Sequence, residues 1–281
     1  MLSLINFNAS GQTLKSNALS YVFYHMTSRS ALKRIPAFKW AVMLLRALQG
    51  KRGIGTTLGE FSAFVSDWRA YRKLPQNPSF ALSTEDLYPR LFDKTATTGV
   101  DPVYFYQDAW LAKKIFGVKP ARHTDVGSHL PTIGIISQFV PTTMVDIRPP
   151  AVTLSELSFV KGNILALPFR DGEIPSLSSI CVIEHIGLGR YGDPLDPFGS
   201  EKAVNELVRV LAPSGNLYIS VPIDSENKVY FNAHRAFTRD YVLELFKSIS
   251  LIEERYIYRN DLSDSYDATK GFGTGLYHFK K

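Results

Sequence analysis

The side chains that could do chemistry fall in five short segments. HTDVGSH (123–129) offers Asp125, Gly127 and Ser128, VDIRPP (145–150) offers Asp146, and KGNILALPF (161–169) offers Asn163. EHIGLGRYGD (184–193) adds Glu184, His185, Arg190, Tyr191 and Asp193, and NAHR (232–235) adds His234 and Arg235. An imidazole exchanges a proton near neutral pH, so His185 and His234 are candidate general bases for a hydroxyl acceptor. Glu184 and Asp193 can accept hydrogen bonds from sugar hydroxyls, and Arg190 and Arg235 can hold a phosphate or carboxylate. Tyr191 can stack on a sugar or base. Each has a plainer alternative: a loop-shaping hydrogen bond for His185, capping or packing for His234 and Tyr191, surface ion pairs for the charged residues. His185, Asp193 and His234 show no metal-ligand spacing, so no metal centre is expected.

From residue 122 onward these segments sit on an alternation of strands and helices. HTDV (123–126), TTMVDI (142–147), SFVKGNI (158–164) and SLSSICVIEHI (176–186) read as strands, the last apolar and β-branched enough for the middle of a parallel sheet. A helix is expected around 130–138, another at SEKAVNELVRVL (200–211), and a third at TRDYVLELFKSI (238–249) with Thr238 as its cap. PSG (213–215) turns the second of these into the strand NLYISVP (216–222), and SLIEERYIYR (250–259) and GLYHFKK (275–281) close the chain as strands. Such alternation implies a parallel sheet with right-handed crossovers, and the last two strands fit an antiparallel addition at its edge. Ligands of such sheets bind beyond the carboxyl ends of the strands, where the strand order switches. All but the NAHR segment belong to those ends.

The order of these segments resembles the class I S-adenosylmethionine-dependent methyltransferases over about residues 99–281. The resemblance implies a Rossmann-like, doubly wound, mostly parallel sheet of seven strands. It implies S-adenosylmethionine as cofactor, with S-adenosylhomocysteine as product. It further implies that Asp125, Gly127 and Ser128 form the first cofactor loop and that Asp146, ending the second strand, accepts hydrogen bonds from the ribose hydroxyls. Asn163, with Ile164 beside it, stands where the adenine amine is met, and Glu184 is placed in the cofactor set. ELVRVLAPSGNLYISVP (206–222) and NAHRAFTRDYVLELF (232–246) are similar to the helix, strand and helix that follow the fourth strand. YFYQDAW (104–110), HIGLGRYGDP (185–194) and FNAHR (231–235) resemble signatures of a family catalogued as a domain of unknown function. One departure stands out: after Gly127 comes SHLPT, so the second and third glycines of the cofactor loop are missing.

Residues 1–98 read as a helical extension. Helices are expected at 13–34, at 36–50 behind Pro36, at about 59–72 and near Asp86 to Phe92, with KRGIGTTLG (51–59) as a loop and KLPQNPS (73–79) as a linker. YFYQDAWLAKKIFG (104–117) reads as a further helix closed by Gly117. Residues 1–59 hold eight Lys/Arg and no Asp/Glu, which leaves 24 basic and 26 acidic residues for the rest. The net charge of +6 therefore belongs to the N-terminal fifth. An acid-free basic arm at 29–52 suits an anionic membrane surface, although a solvated helical face has the same composition.

No apolar run approaches the roughly 20 residues of a bilayer span, no secretory signal pattern opens the chain, and a lone cysteine, Cys181, excludes an internal disulfide framework. A cytoplasmic protein, peripheral at a membrane, is expected. The function expected is methyl transfer to a hydroxyl of a glycan, a lipid-linked saccharide or a small molecule. The alternatives are a non-catalytic binding or scaffold protein of the same fold and, behind it, a nucleic-acid methyltransferase. The latter lacks the Asp/Asn-Pro-Pro-aromatic signature, so nucleic acid is not the expected partner.

Overall fold

The central strands are buried on both faces, and the architecture follows from covering them. The computed structural model describes residues 53–281, in two units, Met1–Thr98 and Gly99–Lys281. The helices expected at 13–34 and 36–50, and the basic residues of 29–52, lie outside the described residues. In the first unit, helix α1 runs from Ile54 to Tyr71. It starts inside the expected loop: Gly53 takes the cap position, and Thr57 Oγ1 donates to its carbonyl at 3.1 Å. The short helix expected near Asp86 to Phe92 is absent: a single 3-10 turn, Thr84–Asp86, capped by Ser83, precedes that stretch, and residues 87–92 are not helical.

In the second unit α2 (Pro102–Val118) opens behind the Asp101 cap, with Pro102 in the first turn, where its missing N–H costs nothing. It ends not at Gly117 but at Lys119, which takes the left-handed conformation (φ 50°). Then follow β1 (His123–Val126), α3 (Leu130–Ile136), β2 (Thr142–Asp146), β3 (Leu157–Lys161), β4 (Ile174–Ile180), α4 (Gly199–Val210) and β5 (Leu211–Ile223). The chain continues through β6 (Lys228–Tyr230), β7 (His234–Ala236), α5 (Arg239–Leu245), β8 (Ser250–Tyr258), β9 (Asp261–Ser263) and β10 (Gly273–Lys280). The main sheet has the order β3-β2-β1-β4-β5-β10-β8-β9. β1 to β5 pair in parallel, while β10 is antiparallel to both of its neighbours. This is the Rossmann-like methyltransferase architecture that was expected, with eight strands instead of seven.

Side chains alternate between the two faces, as a strand period of two requires. On β5, Leu217, Ile219 and Val221 join Val204 and Leu207 of α4 and Val242 of α5, while Tyr218 joins Trp110, Leu111 and Ile115 of α2 and Ile133 of α3. Helix α4 buries Ala203, Val204, Leu207 and Val210, one stripe at helical spacing.

Three expectations about elements need correction. The fourth strand stops at Ile180, not 186: Cys181 turns left-handed (φ 54°), and Ile183–His185 form a 3-10 turn. Its apolar continuation is buried by the core instead of by strand pairing. Residues 232–237 are not helical. His234–Ala236 pairs with Lys228–Tyr230 as a hairpin turned at Asn232 (φ 63°), and α5 starts only after Thr238, whose hydroxyl accepts from Tyr241 N. Finally, β10 is inserted between β5 and β8, and the sheet edge is β9, a three-residue strand too short and too polar to announce itself.

Candidate active site

β2 and β3 lie to one side of β1, and β4 and β5 to the other, so the loops leaving β1 and β4 diverge and open a crevice. A cavity of about 570 Å3 lies there, walled by residues that follow all four of the first strands. That volume is in the usual range for a small-molecule or cofactor site.

The β1 loop is fixed by a buried polar chain. Asp125 accepts from Ser128 N (3.0 Å), Ser128 Oγ (2.6 Å) and Ser178 Oγ. Since the Ser178 proton goes to Asp125, its oxygen accepts from His123 Nε2 (2.9 Å), and His123 Nδ1 accepts from Ser176 Oγ (2.9 Å). Burial raises the Asp125 carboxyl to about 6 and holds His123 neutral, at about 3. Ser128 Oγ also accepts from Ile180 N at 2.9 Å, tying the loop to β4. Asp125 is thus fully buried and outside the cavity wall, and the Ser128 hydroxyl is spent on structure. Gly127 (φ 73°) does face the cavity, and a Cβ there would sit 3.2 Å from Val182 Cγ1. Glycine keeps that wall thin.

Asp146 and Asn163 meet the same cavity from β2 and the β3 loop. Asp146 Oδ1 accepts from Arg148 N (2.6 Å), and Asn163 Oδ1 accepts from Leu165 N (3.0 Å), so each side chain folds its own turn while lining the site. Among the described residues no cation pairs with Asp146. Ile164, nearly buried, lines the same wall.

The β4 loop is held from within. Arg235, expected to bind an anion, is buried and donates to the carbonyls of Ile186 (2.6 Å), Asp196 (3.2 Å) and Pro197 (3.3 Å) and to Ser200 Oγ (3.1 Å). Asp193 lines the cavity, but its carboxylate accepts from Gly187 N (2.6 Å) and Tyr191 N (3.2 Å). Gly187 (φ 83°) allows the close crossing this needs, since a Cβ would fall 2.0 Å from the Asp196 carbonyl oxygen. Both residues fold the loop.

Glu184 and His185 form a neutral buried pair. Burial pushes the Glu184 carboxyl up to about 8 and His185 down to about 4, so at neutral pH the acid keeps its proton and the imidazole has none to spare. Their separation is 3.5 Å, from Glu184 Oε1 to His185 Nε2. His185 Nδ1 lies 2.6 Å from the Ala233 carbonyl, which can only accept, so the ring proton is on Nδ1. Arg190 Nη1 donates to the same carbonyl at 3.0 Å, and its 3.3 Å approach to Nδ1 brings two donors together and is no hydrogen bond. His185 reaches the cavity wall, whereas Glu184 lies behind it, buried, with Oε2 unpartnered among the described residues. His234 is also outside the wall. Its ring packs with Tyr230 (5.0 Å), Phe272 (5.8 Å) and His185 (6.4 Å between centroids), and burial lowers its pKa.

Wall residues that sequence did not put forward as site residues include His129, Arg148, Cys181 and Val182, whereas the expected Arg190 is outside the wall. His129 stands where the resemblance places the second glycine. Its Nδ1 is 3.2 Å from Thr132 Oγ1 and 3.6 Å from Asp108 Oδ2, and Tyr104 packs on the ring at 4.8 Å. The Arg148 guanidinium lies 4.7 Å from the Tyr191 ring centre. The Cys181 thiol is within 3.2 Å of Gln107 Oε1, and burial pushes its pKa up, so it is no thiolate nucleophile. Their signal was positional: each lies within three residues of a strand's carboxyl end. Among the described residues no group of three or more His, Cys, Asp or Glu side chains gathers as metal ligands, and no helix is long and apolar enough to cross a membrane.

Residues 172–265 match a family described as a Caenorhabditis protein of unknown function, DUF268. No curated protein matches the chain. Among solved structures, the chain is similar to the Burkholderia thailandensis 1,6-didemethyltoxoflavin-N1-methyltransferase with bound S-adenosylhomocysteine: 15% identity over 78% of this chain and 86% of that one, TM-score 0.48. It is also similar to the N-methyltransferase NodS of Bradyrhizobium japonicum WM9 with S-adenosylhomocysteine, at 13% identity over 64% and 88%, TM-score 0.47. A third likeness is to the [4+2]-cyclase SpnF, at 12% identity over 62% and 79%, TM-score 0.48. The fold assignment rests on the strand order and pairing described above.

Proposed function

We propose that the chain is an S-adenosylmethionine-dependent methyltransferase acting on a hydroxyl of a glycan, a lipid-linked saccharide or a small molecule. The observation that supports this is the convergence of Gly127, Asp146, Asn163 and Ile164, from three successive strand ends, on one cavity of about 570 Å3. These residues fit a nucleoside cofactor. Among the described residues the Asp146 carboxylate has no cation partner, which suits it to ribose hydroxyls; Ile164 supplies an apolar wall for adenine, and the left-handed Gly127 thins the wall where the cofactor would pass. The cofactor would supply an already activated methyl group, so the protein's task is alignment and water exclusion. His185 would take the hydroxyl proton at Nε2, whose 3.5 Å contact to Glu184 is long enough to be exchanged for one to the acceptor. The basic run at 29–52 would rest on anionic headgroups of a membrane facing the cytoplasm, which cosedimentation with anionic but not zwitterionic vesicles tests.

A second reading is a non-catalytic binding protein of this fold. It is favoured by His129 and Pro131 standing where glycines are expected, and by the enlistment of both His185 nitrogens inside the protein. Calorimetric titration with S-adenosylhomocysteine separates a filled site from a closed one. Transfer of labelled methyl from the cofactor to extracted glycan and lipid fractions then separates enzyme from binder: saturable binding with no labelled product in any fraction would favour the second reading.

A further inference from the structure

Arg235, expected to hold an anion, is consumed by the loop it folds, yet two other guanidinium groups flank Tyr191 of the cavity wall: Arg148, itself in the wall, and Arg190, which is outside it. Arg148, from beyond β2, and Arg190, from the β4 loop, approach the same aromatic ring: their Cζ atoms lie 4.7 and 5.0 Å from the centre of Tyr191. The two charges are therefore separated by no more than the sum of those distances. Both side chains are exposed, and among the described residues neither has a carboxylate within ion-pair distance. Arg148 makes no side-chain hydrogen bond there, and Arg190 uses Nη1 on the Ala233 carbonyl.

The acids nearby are not paired with either arginine among the described residues. Asp193 accepts from the Gly187 and Tyr191 amides, and Asp146 accepts from the Arg148 amide. Burial lowers His185 and His234, Arg190 lowers both further, and Asp193 acts on His185 in the opposite sense. Two like charges held beside one ring, with no carboxylate in ion-pair distance among the described residues, repel each other, and an anion within reach of both offsets that cost. A planar guanidinium fork matches carboxylate and phosphate oxygens.

We propose that Arg148 and Arg190, braced on Tyr191, bind a carboxylate or phosphate group of the ligand that enters this cavity. The methyl acceptor is then an anionic molecule, such as an acidic or phosphorylated saccharide, and not a neutral one. Calling that ligand the acceptor rests on the methyltransferase reading, whereas the anion site itself does not.

The test is an NMR titration of the full chain, reading the arginine Nε–H signals, with and without saturating S-adenosylhomocysteine. The probes are inorganic phosphate, glucuronate and glucose. The expected result is that phosphate or glucuronate moves the Arg148 and Arg190 signals saturably while glucose does not. Arg148→Gln and Arg190→Gln should each weaken that binding by roughly tenfold or more, the scale of a lost charge-assisted hydrogen bond. Phosphate alone would point to a phosphorylated ligand, and glucuronate alone to a carboxylate. If no anion moves either signal, if glucose acts as the anions do, or if the double variant binds like the wild type, the proposal is overturned. Anion binding by a protein that ignores S-adenosylhomocysteine would remove the methyltransferase reading and leave the anion site standing.

Discussion

Two halves of the cavity wall are built on different terms. The half supplied by β2 and β3 is made by short turns in which each side chain serves its own backbone: Asp146 bonds the amide of Arg148, and Asn163 that of Leu165. The half supplied by the β4 loop and the β6–β7 hairpin is made by long-range bonds. Arg235 reaches four oxygens on residues 186 to 200, and His185 reaches Ala233. The difference teaches what a polar residue near a site signifies. A local turn leaves its carboxylate at the cavity, whereas an irregular loop without secondary structure must satisfy its carbonyls from side chains and uses up the charged residues to do so.

Removing Arg235 is the strongest way to break that contrast. Arg235→Ala should lose about 3 kcal/mol or more in urea unfolding, because a buried charge that satisfied several oxygens is gone and those oxygens stay buried. Arg235→Lys should recover little, since a single ammonium cannot span the same set. An Arg235→Ala protein as stable as the wild type would mean that the loop holds itself.

Next in size is the pH response of the buried acid. Glu184 is raised from 4.5 to about 8 by burial, so its contribution to stability is complete below pH 4.5 and is lost as pH rises through 8. From pH 6.5 to 8 the neutral buried histidines His123 and His185, lowered to about 3 and about 4, favour the folded state as pH rises, because their unfolded forms lose a proton there, so the Glu184 share is read as the difference between wild type and Glu184→Gln. As pH rises from 6.5 to 8, wild-type stability should fall relative to that of Glu184→Gln. Equal slopes would show that Glu184 is ionised in the folded protein. The smallest effect belongs to Arg190, which is exposed and makes one backbone bond: Arg190→Ala should shift stability by less than about 1 kcal/mol, and a larger loss would make it a structural clamp like Arg235.

The sequence exposed the sheet more readily than the site. Strand β5 and helix α4 announce themselves by an apolar run and an apolar stripe, and β1 and β2 by the alternation of segments around them. The hairpin residues His234–Ala236 and the edge strand β9 do not, because three-residue strands carry no periodicity. At the site, segment order located the cavity, since ligand loops follow strand ends. It did not assign roles. Asp125 and Glu184 look like ligand carboxylates until their burial is known, and no local spacing reveals that Arg235 faces the carbonyls of residues 186, 196 and 197. Arg148 went unnoticed for the opposite reason, because its partner ring lies 43 positions away.

The most direct measurement is calorimetric titration of the full chain with S-adenosylhomocysteine, beside Asp146→Ala and Asp146→Asn. The account predicts saturable binding to the wild type, weakened by roughly tenfold or more in Asp146→Ala, with part retained in Asp146→Asn, which keeps the turn but loses the charge. No heat of binding by a folded wild-type protein, or equal affinity in all three, would contradict a cofactor site at the end of β2.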